Sequence, residues 1–358
     1  MKIFDYMQKY GYEQLVMFHD KHTDLKAITC IHSTVLGPSL GGTRIWNYAD
    51  ENEAIEDVLR LAKGMTYKSA CAGLNLGGGK SVIIADPQEL RKDIVRREAF
   101  FRAFGRYVEG LSGRYITAED MNTTTQDMDY INMETNYVCG LEHKSGNPSP
   151  FTAYGTYKAI QASCKAAFGD SSVKGKRIMV QGIGAVGYPL CRRLFADGAI
   201  LFVSDINQER LNDAVREFGA TIVNGDDVYS LDCDVFAPCA RGGGLNDETI
   251  PKLKCKVVAG AANNVLADIE KHGKMIHDRG IFYAPDYVAN AGGVINVYYE
   301  LYTYDEAVVY RHIDRIYDQV LEILNTSKTT NVPTAAVADK MAEARINAIK
   351  NVNSIYLG

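Results

Sequence analysis

Arg177-Ile178-Met179-Val180-Gln181 runs straight into Gly182-Ile183-Gly184-Ala185-Val186-Gly187, and a helical pattern follows to about Asp197. The next apolar run, Ile200-Leu201-Phe202-Val203-Ser204, ends on an acidic residue, Asp205. A Gly-x-Gly-x-x-Gly means little alone. Set between a strand and a helix, with an acid about 20 residues on, it has the full context of a dinucleotide-binding turn. Gly182 permits the tight turn, Gly184 lets the backbone approach a pyrophosphate, and Gly187 lets helix and strand pack closely. The helix N-terminus offers its free N–H groups to the phosphates. Asp205 would bond ribose hydroxyls and repel a 2′-phosphate. Ile206-Asn207 bring no arginine directly after it, so NAD is expected rather than NADP. A ligand-free turn, a methyltransferase and a flavin site are the competing readings of this stretch taken alone.

Downstream, strand signals at about 220–223, 233–237, 256–260 and 281–284 continue the alternation with helices, of which 207–218 is the clearest. That order predicts a doubly wound parallel sheet. Upstream, Ser145-Gly146-Asn147-Pro148-Ser149-Pro150 marks a domain boundary ahead of a helix over 151–168. The expected architecture is therefore α/β in two domains: 1–147, and a Rossmann domain over 148–331. From Val332-Pro333 a last helix runs to about Asn351, with Ala336, Val337, Met341, Ala344, Ile346 and Ile349 on an apolar face that must dock. In the first domain, a strand is expected at 25–35 and a turn at Leu36-Gly37-Pro38-Ser39-Leu40-Gly41-Gly42-Thr43. A helix from Asn52 to about Cys71 follows, carrying Lys68 near its last turn. A glycine-rich turn leads to a strand over 81–85, then a helix spans about 91–111. A short strand over 113–118 delivers Glu119-Asp120 to its C-terminal end, where α/β proteins usually keep their chemistry.

The length of 358 residues fits two domains, and 46% hydrophobic with 23% charged residues is ordinary for a chain with a full core. A net charge of −5 gives no footprint for nucleic acid or an anionic membrane surface. No signal-peptide core or membrane span is expected. The eight cysteines are scattered without a Cys-x-x-Cys, which points to buried thiols in a reducing cytoplasm, with no metal site and no disulfide framework.

Lys68-Ser-Ala-Cys-Ala-Gly-Leu-Asn-Leu-Gly-Gly-Gly-Lys80 sets two lysines at the ends of an uncharged, glycine-rich stretch. Two readings fit: a surface turn with solvated ammoniums, or a desolvated pair in which burial and a like charge push one lysine toward its neutral form. A Walker A loop is excluded, because position 74 is Leu where that loop needs a glycine and Lys80 leads into a strand rather than a helix. A metal-free dehydrogenase needs a cation for its substrate's charged end, a base, and a carboxylate to move a second proton. Lys68, Lys80 and Asp120 fill that list. Asp120 also reads as the N-cap of a helix over 123–133.

The chain resembles the glutamate, leucine, phenylalanine and valine dehydrogenases. Leu36-Gly-Pro-Ser-Leu-Gly-Gly-Thr-Arg44, Ala62-Lys-Gly-Met-Thr-Tyr-Lys68, Leu76-Gly-Gly-Gly-Lys80 and Ala118-Glu-Asp120 carry the likeness in the first domain. Gly146-Asn-Pro-Ser-Pro-Phe-Thr152, Ala261-Ala-Asn-Asn264 and Asn290-Ala-Gly-Gly-Val-Ile-Asn296 carry it in the second. The resemblance covers nearly the whole chain and is strongest to the leucine branch. It implies NAD-dependent oxidative deamination of an L-amino acid at a cleft between the domains. It makes Lys68 the carboxylate-binding cation, helped by the backbone at Gly42, Lys80 the base, and Asp120 the proton shuttle. It sets Thr152, Asn263 and Asn290 beside nicotinamide and substrate. It also implies that the first domain binds substrate and oligomerises, that the C-terminal helix (about 332–358) returns to it, and that the enzyme is a homo-oligomer, commonly an octamer.

Positions matching the family's side-chain pocket are Leu40, Gly41, Met65, Ala118, Val294 and Val297, none of them charged. That excludes a glutamate pocket and favours leucine, valine and isoleucine. Tyr298, one residue past Val297, keeps an aromatic substrate such as phenylalanine or tryptophan as the alternative. A non-catalytic NAD-binding relative would be expected to have lost Lys68, Lys80 or Asp120, and all three are present.

Overall fold

The computed structural model describes residues 2–352. Within them, residues 2–147, 297–304 and 342–352 form one compact unit, and residues 148–296 and 305–341 form another.

The first unit is built on a five-stranded sheet of order β1-β2-β4-β3-β5: β1 Gln14–Asp20, β2 Leu25–Ser33, β3 Ser39–Trp46, β4 Gly77–Ile84 and β5 Tyr115–Glu119. β2 runs antiparallel to β1 and β4, while β3 runs parallel to both β4 and β5. The sheet is covered on both faces, so its inner strands are nearly continuous runs of buried residues. On one face, the helix Glu51–Cys71 packs Ile55, Val58, Leu59 and Ala62 against Ile28, Cys30 and Val82. On the other, Phe100, Phe101, Phe104 and Val108 of the helix Ile94–Glu109 cover Leu25, Ile31, Ile45 and Ile83. Each such side chain, fully buried, contributes roughly 1.5–3 kcal/mol.

Local signals fix where the helix Glu51–Cys71 starts and ends. Asp50 caps it by accepting from the Glu53 N–H, its first turn carries acids, and Lys68 lies in its last turn. At its C-terminal end, Arg345 of the helix Thr334–Val352 donates to the carbonyls of Ser69 (3.4 Å), Ala70 (3.2 Å) and Leu74 (2.8 Å). Ser69 and Ala70 also accept from the N–H groups of Leu74 (3.0 Å) and Gly73 (3.2 Å), so Arg345 adds a charged donor to a turn already closed by backbone bonds. The expected C-terminal helix extends to 358, and 353–358 lie outside the described residues.

Three expectations for this unit are corrected. The turn expected over Leu36–Thr43 stops short, because Ser39–Trp46 is a central strand. The glycine-rich turn before Lys80 is likewise strand, with Gly77, Gly78 and Gly79 buried in β4. Glycine reads as a breaker, but here it lets three backbones pack closer than side chains allow. A Cβ on Gly41 would lie 1.7 Å from the Gly79 carbonyl oxygen, and one on Gly78 2.0 Å from the Thr66 nitrogen. The helix expected over 91–111 starts later, at Ile94, where Asp93 caps it by accepting from the Arg96 N–H, and a short separate helix, Pro87–Arg91, precedes it.

The second unit holds a six-stranded, wholly parallel sheet of order β11-β10-β9-β6-β7-β8. The strands are β6 Arg177–Gln181, β7 Ile200–Ser204, β8 Thr221–Ile222, β9 Val235–Pro238, β10 Val257–Val258 and β11 Phe282–Tyr283. The chain works outward from β6 to one side and returns through β9 to the other. The order therefore reverses at β6/β9, the switch point where open α/β sheets bind their ligands. Residues 297–304, assigned from sequence to the second domain, group with the first unit. Buried Glu300 is the anchor, accepting from the N–H groups of Gly140 (2.8 Å) and Leu141 (3.4 Å) and from the Ser145 hydroxyl. Among the described residues no helix is long and apolar enough to cross a membrane.

Candidate active site

Lys80 leaves the triglycine stretch of β4 with only 5% of its surface exposed, and its Nζ lies 2.8 Å from Asp120 Oδ2. Asp120 follows directly on β5, where the Thr123 hydroxyl ties the turn by accepting from the Asp120 N–H (2.9 Å) and donating to the Thr43 carbonyl (3.1 Å). Burial alone would raise the Asp120 carboxyl, but the cations of Lys80 and Arg44 hold it down to about 2. The capping alternative for Asp120 is overturned. The helix Thr125–Asn132 is capped by Thr124, in a reciprocal box with Asp127.

The paired glycines of β3 bring this pair together. A Cβ on Gly42 would meet the Glu119 carbonyl at 2.5 Å and Asp120 Cβ at 2.8 Å. Only a bare backbone passes between the strands that carry Lys80 and Asp120. Below them the sheet is braced by polar contacts inside the fold. Thr43 and Thr117 hydroxyls meet at 2.6 Å, and Tyr115 donates to the Gly41 carbonyl at 2.6 Å. Lys68 is half-buried on the last turn of the helix Glu51–Cys71, with Met65 half-buried one turn earlier. The near partner of Lys80 is thus a carboxylate, a contact that the spacing of the two lysines did not reveal. Leu40, Ala118 and Val297 are buried in the same unit. Tyr298 is turned to its own neighbours: its hydroxyl lies 3.3 Å from that of Tyr302, and burial together with that hydrogen bond pushes it up to about 12.

In the second unit, Gly182 turns the chain at φ +89° against Ala240, and a Cβ on Gly187 would lie 2.0 Å from the Gly182 carbonyl oxygen. Both positions therefore require glycine. Over Gly184, among the described residues, only Arg210 Nη1 comes near, 3.7 Å from where a Cβ would stand. The helix Gly187–Ala196 has no side-chain cap at Val186, so no side chain competes for its first N–H groups. Ile183 anchors the loop by donating its N–H to Asp205 Oδ2 (2.8 Å), while Asn207 N donates to Oδ1 (2.8 Å). Each carboxylate oxygen keeps acceptor capacity.

Asn290 and Asn263 are brought into contact. Asn290 Nδ2 donates to the Ala261 carbonyl (3.0 Å) and to Asn263 Oδ1 (2.7 Å). A carbonyl only accepts, so the amide orientation is fixed, and Asn290 Oδ1 is left buried with no partner among the described residues. Gly292 and Gly293 sit against the start of the helix Ser149–Phe168: a Cβ on Gly293 would lie 2.6 Å from Thr152 Oγ1. Val294 is buried just beyond. A bare loop at a helix N-terminus, an acid at the end of β7 and an orphan amide oxygen fit a nicotinamide dinucleotide. Among the described residues no group of three or more His, Cys, Asp or Glu is placed to hold a metal ion.

Sequence reading missed two residues of these sites. Arg44 lies inside a quoted motif but received no role, and Arg210 is five residues past Asp205, beyond the window in which an arginine was sought.

Residues 12–137 match the family profile "Glu/Leu/Phe/Val dehydrogenase, dimerisation domain", and residues 203–356 match "Glutamate/Leucine/Phenylalanine/Valine dehydrogenase". A leucine dehydrogenase from Thermoactinomyces intermedius is 57% identical over 100% of this chain and 97% of its own length. The chain belongs to the Glu/Leu/Phe/Val dehydrogenase family. It is an amino acid dehydrogenase, and membership of this family implies a nicotinamide cofactor. A leucine dehydrogenase from Bacillus cereus is 55% identical over 100% of this chain and 97% of its own length. Among solved structures, an L-tryptophan dehydrogenase from Nostoc punctiforme superposes with a TM-score of 0.83 at 44% identity, covering 97% of this chain and 99% of that one.

Proposed function

We propose that this dehydrogenase carries out the reversible oxidative deamination of branched-chain aliphatic L-amino acids, leucine foremost, with valine and isoleucine also accepted. The L-amino acid, NAD⁺ and water give the 2-oxo acid, ammonium, NADH and a proton. The observation that carries the reading is the 2.8 Å contact between buried Lys80 and Asp120, on a chain 57% identical to a leucine dehydrogenase over its whole length.

Lys68 holds the substrate carboxylate, with the backbone at Gly42 beside it. Leu40, Gly41, Met65, Ala118, Val294 and Val297 receive the side chain and place no charge against it. NAD, when bound, supplies the hydride acceptor. Lys80 then takes the proton from a water as its oxygen attacks the iminium carbon. Asp120 moves protons to and from the amino nitrogen, and its contact with Lys80 gives the two a direct path for exchange. The 182–187 loop holds the pyrophosphate, Asp205 the ribose, and Thr152, Asn263 and Asn290 the nicotinamide end. A homo-oligomer, an octamer by family resemblance, and a cytoplasmic setting, consistent with eight free cysteines, complete the reading.

NADH formation across a panel of L-amino acids tests the substrate. Leucine, valine and isoleucine are expected to differ by no more than the ~1–3 kcal/mol that a methylene is worth in an apolar pocket. Strong turnover of phenylalanine or tryptophan, with none of the branched-chain acids, would move the assignment to the aromatic branch. Asp205→Ala tests the cofactor. It removes an acceptor of charge-assisted hydrogen bonds worth about 1.5–3 kcal/mol, so NADH affinity, read by fluorescence titration, is expected to fall roughly 10–100-fold. NADPH affinity should rise relative to NADH as the repulsion goes. An unchanged ratio would remove Asp205 from the ribose site.

A further inference from the structure

Lys80 does not have Asp120 to itself. Arg44, two residues past Gly42 on β3, places its Nε 3.3 Å from Asp120 Oδ2, the same oxygen that receives Lys80 at 2.8 Å. Its Nη1 reaches Asp57 Oδ2 at 3.0 Å, and Asp57 is held in turn by the Tyr48 hydroxyl (2.7 Å) and by Arg60 (3.0 Å). The Arg44 and Asp57 side chains are each only 14% exposed. The result is a row of alternating charge, Lys80, Asp120, Arg44, Asp57 and Arg60, running from the buried lysine to an open cavity of about 440 Å³ beside Trp46 and Met121.

A lysine that serves as a base must cycle between ammonium and amine. Each time Lys80 loses its proton, Asp120 loses that countercharge, and a partly buried carboxylate without a cation either binds a proton or shifts position. Arg44 limits both, because a guanidinium stays charged throughout and is fixed from its far side by Asp57, so a proton that Asp120 carries is passed on rather than kept. We propose that Arg44 is a positioning residue acting through Asp120: the constant countercharge that returns the carboxylate to its ionised form between proton transfers and keeps it aimed at Lys80 while Lys80 cycles between ammonium and amine. The proposal rests on the base role given to Lys80 above.

The sign of the effect follows from the groups around the pair. Lys80 faces Asp120 from β4, and Asp57 and Arg60 face Arg44 from the helix Glu51–Cys71. Tyr48 lies just past β3, and Glu119 and Tyr115 belong to β5. Arg44 is a cation close to a lysine that must give up its proton, and it shares the carboxylate that would otherwise stabilise the ammonium fully. Removing Arg44 therefore strengthens Lys80's hold on its proton. Removing the charge of Asp57 leaves Arg44 to press on Asp120 and Lys80 alone, and weakens that hold.

The test is the pH dependence of kcat for L-leucine oxidation. In Arg44→Gln, the limb on which kcat rises with pH is expected to move up by about one unit. Turnover below that limb then falls roughly tenfold and recovers at high pH. KM for leucine and NADH affinity should stay near wild type. Arg44→Lys keeps the charge and should return the limb toward its original position. Asp57→Asn, which leaves Arg44 in place and guards against a misfolded first variant, should move the limb the opposite way. A loss of turnover equal at every pH, with the limb unmoved in both Arg44→Gln and Asp57→Asn, would make Arg44 a packing residue and overturn the proposal. Lys80→Ala separates the two ideas. If it is inactive and the limb is unmoved, only the role of Arg44 fails; if it retains turnover, the base assignment fails first.

Discussion

Lys80→Ala is expected to lower kcat for L-leucine oxidation by about 10³-fold or more, within the range a general base contributes, while NADH continues to bind as in wild type. Lys80 belongs to the first unit and the glycine loop to the second, so the proposed base and the proposed cofactor site should be lost separately. An interaction made only in the transition state lowers kcat and kcat/KM together, and that pattern is the expected signature. Removing the lysine also strips Asp120 of its nearest cation and leaves it to Arg44 at 3.3 Å. Circular dichroism should therefore accompany the kinetics, so that misfolding is separated from lost chemistry. Lys80→Arg sharpens the result. It keeps a cation able to face Asp120 but cannot shed a proton near neutral pH, and should be about as inactive as the alanine variant with its fold intact. Turnover within tenfold of wild type in Lys80→Arg would mean that the charge at this position matters and the proton does not. Loss of NADH binding in either variant would place Lys80 in the wrong half of the reaction.

The second unit was the more legible of the two, for a physical reason. Its glycine-rich turn is largely a local object: strand, three glycines, helix and acid all fall within about 30 residues, and Gly187 answers the Gly182 carbonyl inside that window, while Gly182 also packs against Ala240 outside it. The 177–181 and 200–204 strands therefore fall where the pattern put them. In the first unit the same residue type misled. Gly41, Gly42, Gly77, Gly78 and Gly79 read as turns because glycine breaks strands when nothing else is known. Their reason lies outside their own strands, in Thr66 of the preceding helix beneath Gly78 and in Asp120, far along the chain, beside Gly42. The ion pair of Lys80 with Asp120 was hidden in the same way, since only the parallel register of β3 with both β4 and β5 brings the two together. Arg44 was hidden twice over. An arginine on a strand reads as solvated surface until the carboxylates on either side of it are known. Similarity to relatives pointed to Lys68, Lys80 and Asp120 as a set, but the row of charges behind them is a property of the folded sheet.

Gly78→Ala should be among the most destabilising single-methyl substitutions available to this chain, and Gly64→Ala, on the helix that packs over it, should be stabilising. A Cβ on Gly78 would lie 2.0 Å from the Thr66 nitrogen, 2.3 Å from its hydroxyl and 2.6 Å from its Cα. None of these is the tip of a flexible side chain. Relief requires the helix Glu51–Cys71 to lift from β4, and lifting opens the apolar interface of Ile55, Val58, Leu59 and Ala62 beneath it. Overpacking of this kind costs about 1–3 kcal/mol and sometimes more, and a backbone-to-backbone clash belongs at the upper end. About 3 kcal/mol is a large share of a typical stability of roughly 5–15 kcal/mol, and corresponds to a melting temperature lower by roughly 6–12 °C. The same displacement moves Lys68, on the last turn of that helix, relative to Lys80 on the strand below. KM for leucine should therefore rise even where the protein still folds. Gly64 sits inside the same helix, and among the described residues nothing beyond the helix's own backbone comes within 4 Å of its would-be Cβ. There the added methyl removes backbone freedom from the unfolded chain without touching a neighbour, and should stabilise by about 0.5–1 kcal/mol. Thermal unfolding of the two variants side by side tests the argument, because helix propensity favours alanine at one site and packing forbids it at the other. A Gly78→Ala protein that melts with wild type would mean that the helix and strand are not in the contact described.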